Sequence, residues 1–489
     1  MASHSNSELS NVTVAVIEAG GSVLNNFNIT YVEGHSLAFD TDIDWAYQTE
    51  EHIYAGDLKQ TIRAGKAIGG TSTINGISYT RAEDIQIDNW ELESEGFEVP
   101  AQDLIAHGAS YDADYQGRNG PVKVGWPTAM TNSIVFPVLK ETFEHLGVHY
   151  NRDSGGGRMV GFTVHPDTVD REANVRMDAT RAYFWPYKSR PNLKIISNTQ
   201  ANRIIKANTT HGEISAIGVE VTGPQGVGMI YASKEVILSA GALRSPALLE
   251  LSGVGSPDIL QLLDRTGNIF RPALGQSALW DKVSEVAAFV QANLASYARN
   301  ISKTSNGVVK ESDLLVAFKL HLRSQWRVFA SEYWPLLPFL RGSVHIRSTD
   351  ASQPPAINPT YFMFEQDATA QADMVQFICK AFGTVPLSNI VGNEVSPELG
   401  VLPTNLSIAT WNNCGLANYR PNYHPVGTAS LLPWGNGGVV SPELKVYGTR
   451  NVRVIDASVL PFQLCGHLQS TLYAVAEKAS DIIKQRHIV

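Results

Sequence analysis

The chain has 489 residues, of which 43% are hydrophobic and 17% are charged, and its formal net charge at pH 7 is −9. This length provides a large buried core and room for two domains. The mild acidity, together with the lack of any lysine or arginine run, argues against nucleic acid or an anionic membrane surface as a partner.

Neither a membrane span nor a metal site is predicted. No apolar stretch reaches the roughly 18 residues that a spanning helix needs. Cys379, Cys414 and Cys465 lie far apart and show no metal-binding spacing. The first ten residues, MASHSNSELS, lack the apolar core of a signal peptide. Five Asn-x-Ser/Thr sequons nevertheless favour secretion, and they begin at Asn11, Asn28, Asn208, Asn300 and Asn405.

Residues 12–17 (VTVAVI) form an apolar, β-branched run that predicts a buried parallel strand. Glu18 follows directly, at the carboxyl end of this strand. In dinucleotide-binding sheets, an acid in this position accepts hydrogen bonds from the adenosine ribose hydroxyls. An ordinary core strand with a solvated glutamate is the alternative that the run alone leaves open.

The next informative segment, residues 65–81 (GKAIGGTSTINGISYTR), is small, hydroxyl-rich and flexible. Its glycines let a ligand approach the backbone closely, and its N–H groups and hydroxyls can bind phosphate or a polar ring. A turn between two ordinary elements is the alternative interpretation.

Residues 234–255 (KEVILSAGALRSPALLELSGVG) predict a strand, a glycine-containing turn and a helix, which is typical of a parallel sheet. The strand is expected at Val236 to Leu238, and Pro246 is expected at an early helical position. Further along, residues 334–346 (WPLLPFLRGSVHI) predict a proline-containing loop and then a strand of an antiparallel, substrate-facing sheet.

Near the carboxyl terminus, residues 451–461 (NVRVIDASVLP) predict a strand that ends at Asp456. A helix is expected to begin beside His467, because apolar residues then recur at spacings of three and four. These residues are Leu468, Leu472, Val475, Ala479 and Ile482.

Two histidines are the candidate catalytic residues, His424 in a proline-flanked loop and His467 at the start of the final helix. Oxidation of an alcohol requires a base for the hydroxyl proton while hydride leaves the carbon. An imidazole, with an ordinary pKa of about 6.5, suits this role. The amides at the start of the final helix can stabilise negative charge on a bound ligand. The chain contains 13 histidines, so spacing alone leaves two structural histidines as the alternative.

Several long segments resemble the glucose–methanol–choline (GMC) oxidoreductases. Residues 65–88 fit the first family signature without a gap, and residues 241–255 (GALRSPALLELSGVG) fit the second. The segments NYRPNYHPVGTAS, RVIDASVLPFQLCGHLQSTLYAVAEKASDII, LAFDTDIDWAYQTE and AINPTYFMFE are similar to fungal FAD-dependent glucose dehydrogenases and glucose oxidases. The resemblance extends from Val12 to Ile483.

The resemblance implies an α/β fold in which a Rossmann-like FAD-binding domain is interleaved with an antiparallel-sheet substrate domain. The FAD-binding domain would comprise residues 11–90, 190–275 and 435–485, and the substrate domain residues 91–189 and 276–434. Oxidation of a sugar hydroxyl, with oxygen or a quinone-like mediator as electron acceptor, and an extracellular location are implied as well.

The resemblance also implies roles for single residues. His424 would be the general base, and His467 its partner beside the flavin. Arg420 and Asn422 would hydrogen-bond the sugar hydroxyls. The implied FAD contacts are Glu18 at the ribose, Gly70, Thr71, Ser72, Asn75 and Gly76 at the flavin and pyrophosphate, Ala201 at the adenine, Asp456 and Ala457, and Gln469 at the pyrimidine edge.

Two stretches depart from the family pattern. That pattern places a Gly-x-Gly-x-x-Gly phosphate loop about 20 residues before the ribose-binding acid, whereas the 17 residues before Glu18 contain no glycine. The first strand of the sheet, which the pattern places centrally, is therefore expected to be missing, leaving a slot with unpaired backbone groups. The second stretch is residues 272–282 (PALGQSALWDK), where the family pattern is Pro-x-x-Gly-x-Asn-Leu-x-Asp. Only Pro272 and Gly275 match that pattern.

Three interpretations follow: an active sugar oxidoreductase, a truncated remnant that binds no FAD, and an aryl or aliphatic alcohol oxidase. A hydrolase or metalloenzyme is disfavoured, because no Gly-x-Ser-x-Gly motif occurs and His145 and His149 lack the glutamate of a His-Glu-x-x-His motif.

Overall fold

The structure is a computed structural model, which describes residues 12–34, 36–83, 95–100, 102–127, 135–207, 213–256, 259–260, 334–392 and 419–487. Its strands are β1 (Val14–Ile17), β2 (Tyr47–Gln48), β3 (Thr61–Ile62), β4 (Glu95–Phe97), β5 (Val122–Val124), β6 (Val169–Asp170), β7 (Val175–Arg176), β8 (Leu193–Ile196), β9 (Gln200–Lys206), β10 (Ala216–Gly223), β11 (Gly226–Tyr231), β12 (Val236–Leu238), β13 (Ser343–His345), β14 (Ala356–Asn358) and β15 (Val452–Val454).

The helices are α1 (Phe27–Thr30), α2 (Gln102–Ile105), α3 (Val135–His145), α4 (Ala179–Tyr183), α5 (Gly241–Leu251), α6 (Glu365–Phe382) and α7 (Gln469–His487). None of the described helices is long and apolar enough to cross a membrane. Residues 272–282, Cys414 and the sequons at Asn11, Asn208, Asn300 and Asn405 lie outside the described residues.

Two parallel strand pairs confirm the predicted α/β organisation. Strand β1 pairs with β8, with Val14 opposite Leu193, and β12 pairs with β15, with Val236 opposite Val452. Within the described residues these two ladders are separate. Strand β1 is only partly covered, since Val16 is 40% exposed.

Antiparallel pairing supplies the rest of the sheet structure apart from β4 and β5, which pair in parallel, with Glu95 opposite Val122. Strands β9, β10 and β11 form a three-stranded meander, in which Gly223 faces Gly226 at the tight connection. Strands β13 and β14 form an antiparallel pair, which confirms the strand predicted within residues 334–346. The division of the chain into interleaved FAD and substrate segments stays a prediction.

The largest apolar cluster joins the second parallel pair to α5 and α7. It contains Val236, Leu238, Leu248, Val452, Val454, Leu468, Val475 and Ala479. Burying one Leu or Val side chain fully contributes about 1.5–3 kcal/mol, so this cluster fixes the start of α7 against the sheet. The predicted helical periodicity is confirmed, since Leu468, Val475 and Ala479 are buried while Leu472 packs at the edge of the cluster.

Helix α5 begins earlier than its proline suggests. It starts at Gly241, so Pro246 lies inside the helix rather than at its beginning. Proline has no N–H, and Ala242, four residues earlier, therefore receives no helical hydrogen bond from position 246. The hydroxyl of Thr428 donates instead to the Ala242 carbonyl oxygen, at 2.6 Å. A long-range contact thus replaces the helical one and attaches residues 419–430 to α5.

Candidate active site

The two candidate catalytic histidines face each other. The ring centroids of His424 and His467 are 5.3 Å apart, and the ring planes are almost perpendicular, at 88°. The indole of Trp334 contacts both, with centroid distances of 5.5 Å to His424 and 5.6 Å to His467. The structure therefore brings the predicted pair together and adds an aromatic wall that the sequence did not reveal.

The loop that carries His424 is held at both ends. At its start, the side-chain amide of Gln60 donates to the Tyr419 carbonyl oxygen at 3.2 Å. Beyond His424, the Thr428 hydroxyl bonds to helix α5. Tyr423 has a positive φ of 59°, a conformation that costs free energy in a bulky residue and persists where its surroundings enforce it.

His467 is placed by the tight turn that precedes helix α7. Gly466 has a φ of 85°, and a Cβ atom there would lie 2.6 Å from the Thr80 hydroxyl oxygen, so only glycine fits. The backbone N–H of His467 donates to the same Thr80 oxygen at 2.7 Å. The Ser470 hydroxyl donates to the Thr80 carbonyl at 2.6 Å. Thr80 thereby joins the hydroxyl-rich segment to the final helix.

Burial keeps both imidazoles neutral at neutral pH. It lowers the pKa of His424 to about 4. Burial, with smaller contributions from His424 and His165, lowers the pKa of His467 to about 3. The Nδ1 atom of His424 is buried and has no hydrogen-bond partner among the described residues. A neutral imidazole has one nitrogen lone pair, so each ring can accept a proton or a hydroxyl hydrogen bond.

The predicted flavin-side residues meet beside this pair, although they are far apart in sequence. The amide of Asn75 donates to Gln469 Oε1 at 2.9 Å. Arg176, which is 1% exposed, donates from Nη1 to both the backbone and the side-chain oxygen of Asn75, each at 2.7 Å. This buried guanidinium was not predicted, because the sequence contains no signal that links Arg176 to Asn75.

The hydroxyl-rich segment forms one turn of 3-10 helix, Gly70–Thr73. The Ser72 hydroxyl donates to the Gly69 carbonyl at 2.7 Å and accepts from the Ala179 N–H at 3.0 Å. The Thr71 hydroxyl accepts from the Gly65 N–H at 3.1 Å. Both hydroxyls therefore shape the loop, which leaves its exposed face and the nearby exposed Gly76 for a ligand.

Glu18 lies at the carboxyl end of β1, as predicted. The Gly20 N–H donates to its Oε1 atom at 2.8 Å. Burial raises the pKa of Glu18. The Thr199 N–H donates to the Glu18 carbonyl at 2.9 Å, so the beginning of β9, with Ala201, lies at the same corner.

Asp456 joins β15 to helix α5. Its carboxylate accepts the Gly241 N–H at 3.0 Å, the Ser458 N–H at 2.9 Å and the hydroxyls of Ser245 and Ser458. Burial raises the pKa of Asp456. Because these donors already occupy both carboxylate oxygens, we expect any contact with FAD here to come from the backbone of Asp456 and Ala457.

The two predicted sugar-binding residues lie on the loop that carries His424. Arg420 is exposed. Asn422 is partly buried, and its amide nitrogen has no hydrogen-bond partner within the described part of the chain. An unpaired buried amide is costly, so Asn422 is the better placed of the two to bind a ligand hydroxyl.

The residues fit an FAD molecule. An added Cβ atom at Gly70 (φ 57°) or at Gly241 (φ 82°) would meet no atom within 4 Å, so the backbone at both positions borders open space. Glu18 offers a carboxylate oxygen to a ribose, and the start of α7 offers helix N–H groups to negative charge. A carboxylate, two open glycines and a helix N-terminus form a donor and acceptor set suited to this cofactor.

Comparisons with known proteins identify the family of this chain. Two family models, both described as GMC oxidoreductase, match residues 14–294 and 338–476. The glucose oxidase-like protein fsoC of Humicola fuscoatra is 36% identical, over 98% of this chain and 92% of its own length. A glucose oxidase of Aspergillus carbonarius is 29% identical, over 97% and 88%.

Solved structures show the same fold. An FAD-dependent oxidoreductase from Chaetomium thermophilum superposes with a TM-score of 0.79 at 23% identity, covering 98% of this chain and 96% of that one. A fungal aryl-alcohol oxidase gives a TM-score of 0.72 at 21% identity, with coverage of 98% and 96%.

Proposed function

This chain is an FAD-dependent oxidoreductase that belongs to the GMC oxidoreductase family, and we propose that it oxidises a sugar hydroxyl with His424 as the base. The observation that carries the proposal is the contact between two neutral, partly buried imidazoles, those of His424 and of His467, which precedes helix α7. The glucose oxidases among its relatives favour the anomeric hydroxyl of glucose or of a similar aldose as the substrate.

The protein residues act on the hydroxyl proton. The O–H bond of the substrate breaks as His424 accepts the proton, and the C–H bond breaks as hydride leaves, so that a C=O bond forms. FAD, when bound, supplies the hydride acceptor. His467 hydrogen-bonds the substrate oxygen and orients it toward His424. General base catalysis of this kind contributes about 10²–10⁴-fold to a rate.

Named residues would hold the cofactor in this arrangement. Glu18 would bind the ribose hydroxyls, and Ala201 would meet the adenine through its backbone. The turn Gly70–Thr73 and Gly76 would line the flavin and pyrophosphate, and Asp456 with Ala457 would contact FAD through backbone groups. Asn75 and Gln469 would line the pyrimidine edge of the flavin, since the Asn75 amide donates a hydrogen bond to Gln469 Oε1 at 2.9 Å.

The sugar would be recognised by Asn422 and Arg420. The orphaned amide nitrogen of Asn422 supports a hydrogen bond to a sugar hydroxyl. A site built around such a hydrogen bond rejects substrates that lack the hydroxyl, because its polar group is then left unpaired. Oxygen or a quinone-like compound would then accept the electrons. The sequons and the fungal relatives favour an extracellular location.

An aryl or aliphatic alcohol is the second candidate substrate. The observation in its favour is the indole of Trp334, which contacts both histidine rings and provides an aromatic wall. Aromatic rings pack in offset or edge-to-face pairs, so a benzylic substrate would gain contact area there.

The experiment is anaerobic reduction of the FAD-loaded protein by D-glucose and by benzyl alcohol, followed through the visible flavin absorbance. We expect D-glucose to bleach the flavin faster. Asn422→Ala should raise the KM for glucose without changing that for benzyl alcohol. Faster bleaching by benzyl alcohol would replace the sugar proposal with the second candidate, and no bleaching by either would contradict both.

A further inference from the structure

A buried arginine holds the amide of Asn75, the residue that donates to Gln469. Arg176 is 1% exposed, and its Nη1 atom donates to the backbone and the side-chain oxygen of Asn75, each at 2.7 Å. Its Nε atom donates to the Ile29 carbonyl at 3.1 Å, and Nη1 also donates to the Ser72 carbonyl at 3.3 Å. Within the described residues, the acceptors of this guanidinium are all neutral oxygens.

The guanidinium of Arg176 keeps its charge at neutral pH. Burial lowers its pKa to about 10, although the carboxylates of Asp178 and Asp167 oppose this fall. Asp178 has partners of its own, since it accepts the Thr180 N–H at 2.8 Å and forms an ion pair with Arg181. A protonated guanidinium can donate hydrogen bonds but cannot accept them. Arg176 is therefore an obligate donor toward Asn75.

The donors around Asn75 decide which way its amide points. The Oδ1 atom accepts from Arg176 Nη1 and, at 3.1 Å, from the backbone N–H of Ile77. Because neither of these groups can accept, the atom between them is the amide oxygen, and the NH2 group points the other way. Asn75 Nδ2 then donates to Gln469 Oε1 at 2.9 Å, which leaves Gln469 Nε2 as a donor as well.

The far end of this network has the same polarity. Gln469 Nε2 lies 3.3 Å from the Tyr473 hydroxyl and 3.5 Å from the Thr168 hydroxyl. The Thr168 hydroxyl donates its own hydrogen to the Ile77 carbonyl at 3.1 Å, so toward Gln469 it can only accept. Obligate donors at one end and an acceptor at the other thus hold both amides in one orientation.

We propose that Arg176 is a positioning residue that acts through Asn75, so that the pyrimidine edge of the flavin faces amide N–H groups instead of amide oxygens. The inference rests on the proposed function, in which Asn75 and Gln469 line that edge. Asn75 is partly exposed, and among the described residues the second hydrogen of its NH2 group has no protein acceptor. That hydrogen is available to a ligand.

The orientation matters because reduction adds negative charge to the flavin. Two electrons arrive with the hydride, and the pyrimidine edge then carries more negative charge than in oxidised FAD. Hydrogen bonds to a charged acceptor are stronger than those to a neutral one, so N–H groups stabilise the reduced cofactor more than the oxidised one. An amide oxygen in the same place would repel that charge. Arg176 should therefore raise the two-electron midpoint potential of bound FAD.

A direct effect of the guanidinium charge is the rival explanation. Without Arg176, only the Ile77 N–H, at 3.1 Å, would hold the Asn75 oxygen in place. Both explanations therefore predict a lower potential when Arg176 is replaced, but only the positioning role acts through Asn75. A double-mutant cycle separates the two, because residues that act through one shared contact are not additive.

The test is the midpoint potential of bound FAD, measured by anaerobic dithionite titration against a reference dye, which needs no substrate. Arg176→Met should weaken the preference for reduced FAD about tenfold, which is a fall of about 30 mV for two electrons. Asn75→Ala should lower the potential by a similar amount, and the double variant should fall no further. Arg176→Lys, which retains the charge and a donor, should recover most of the loss seen in Arg176→Met.

Arg244→Met is the matched control, because Arg244 is 7% exposed and also donates to neutral oxygens, the carbonyls of Ala351 and Gln353. It should lower the midpoint of urea unfolding and leave the potential unchanged. If Arg176→Met takes up no FAD, Asn75→Asp provides the test, since it keeps an acceptor for Arg176 but has no side-chain N–H. Its potential should fall at least as far as that of Asn75→Ala, and a wild-type value would overturn the proposal.

Two results in the cycle would overturn the positioning role. One is an unchanged potential in Arg176→Met or in Asn75→Ala. The other is a fall from Arg176→Met that persists in full when Asn75 is already alanine, which would assign the effect to the charge itself. Reduction by substrate keeps the two hypotheses apart. If the potentials shift as expected but neither D-glucose nor benzyl alcohol reduces the flavin, the proposed function alone fails.

Discussion

The hydrogen bond from Thr428 to helix α5 gives a prediction with a calculable size. The Thr428 hydroxyl donates to the Ala242 carbonyl, whose helical donor is lost because position 246 is proline. Thr428→Val keeps the shape of the side chain and removes the donor. An unsatisfied buried carbonyl costs about 1–3 kcal/mol, so the free energy of unfolding should fall by that amount. Because His424 lies four residues away on the same loop, kcat should also fall by about 10-fold to 100-fold.

Urea denaturation followed by tryptophan fluorescence measures the first effect, and stopped-flow flavin reduction measures the second. Thr369→Val is the matched control, since the exposed Thr369 hydroxyl donates to the Glu365 carbonyl of its own helix at 2.9 Å. Its loss should cost less than about 0.5 kcal/mol, as surface substitutions do. An equal loss of stability in both variants, or no loss in Thr428→Val, would refute the reasoning.

Three further predictions follow from the site. The base must be neutral His424, and burial lowers its pKa to about 4. The value of kcat/KM should therefore stay level from pH 7 down to about pH 5 and fall below about pH 4. A fall centred near pH 6.5, the ordinary histidine pKa, would contradict the role of His424 as base. Gly466→Ala places a methyl group 2.6 Å from the Thr80 hydroxyl oxygen, at a φ of 85°. The midpoint of urea unfolding should therefore drop, and flavin reduction should slow. Gly437→Ala is the control, because Gly437 also has a positive φ but borders open space, and it should retain the wild-type reduction rate. Burial raises the pKa of Asp167 to about 6, so its contribution to stability is complete at low pH and is lost as pH rises through about 6. The free energy of unfolding of Asp167→Asn, relative to that of wild type, should therefore be higher at about pH 7 than at about pH 4. Urea unfolding of both proteins at these two pH values measures the difference.

Local patterns predicted the elements that carry the site. The apolar run before Glu18, the strand at Val236–Leu238 and the periodicity of α7 each depend on residues that are close in sequence, and each element forms. The predicted burial of the first strand is wrong, since Ala15 and Val16 are exposed. Elements of this kind follow from residue spacing and burial.

Contacts between distant residues could not be predicted in this way. Spacing gave no reason to join His424 to His467, and only the family resemblance proposed the pair. The helix start at Gly241 was misjudged, because the carbonyl that Pro246 leaves without a donor is satisfied by Thr428, 186 residues away.

The measurement that tests the central claim most directly is anaerobic flavin reduction by D-glucose in wild type and in His424→Asn, each loaded with FAD. The variant keeps a polar side chain but removes the base. We expect it to bind FAD with an unchanged visible spectrum and to reduce it about 10²–10⁴-fold more slowly. A variant that is reduced at the wild-type rate would contradict the assignment of His424, and a folded wild-type protein that takes up no flavin would contradict the account of the whole site.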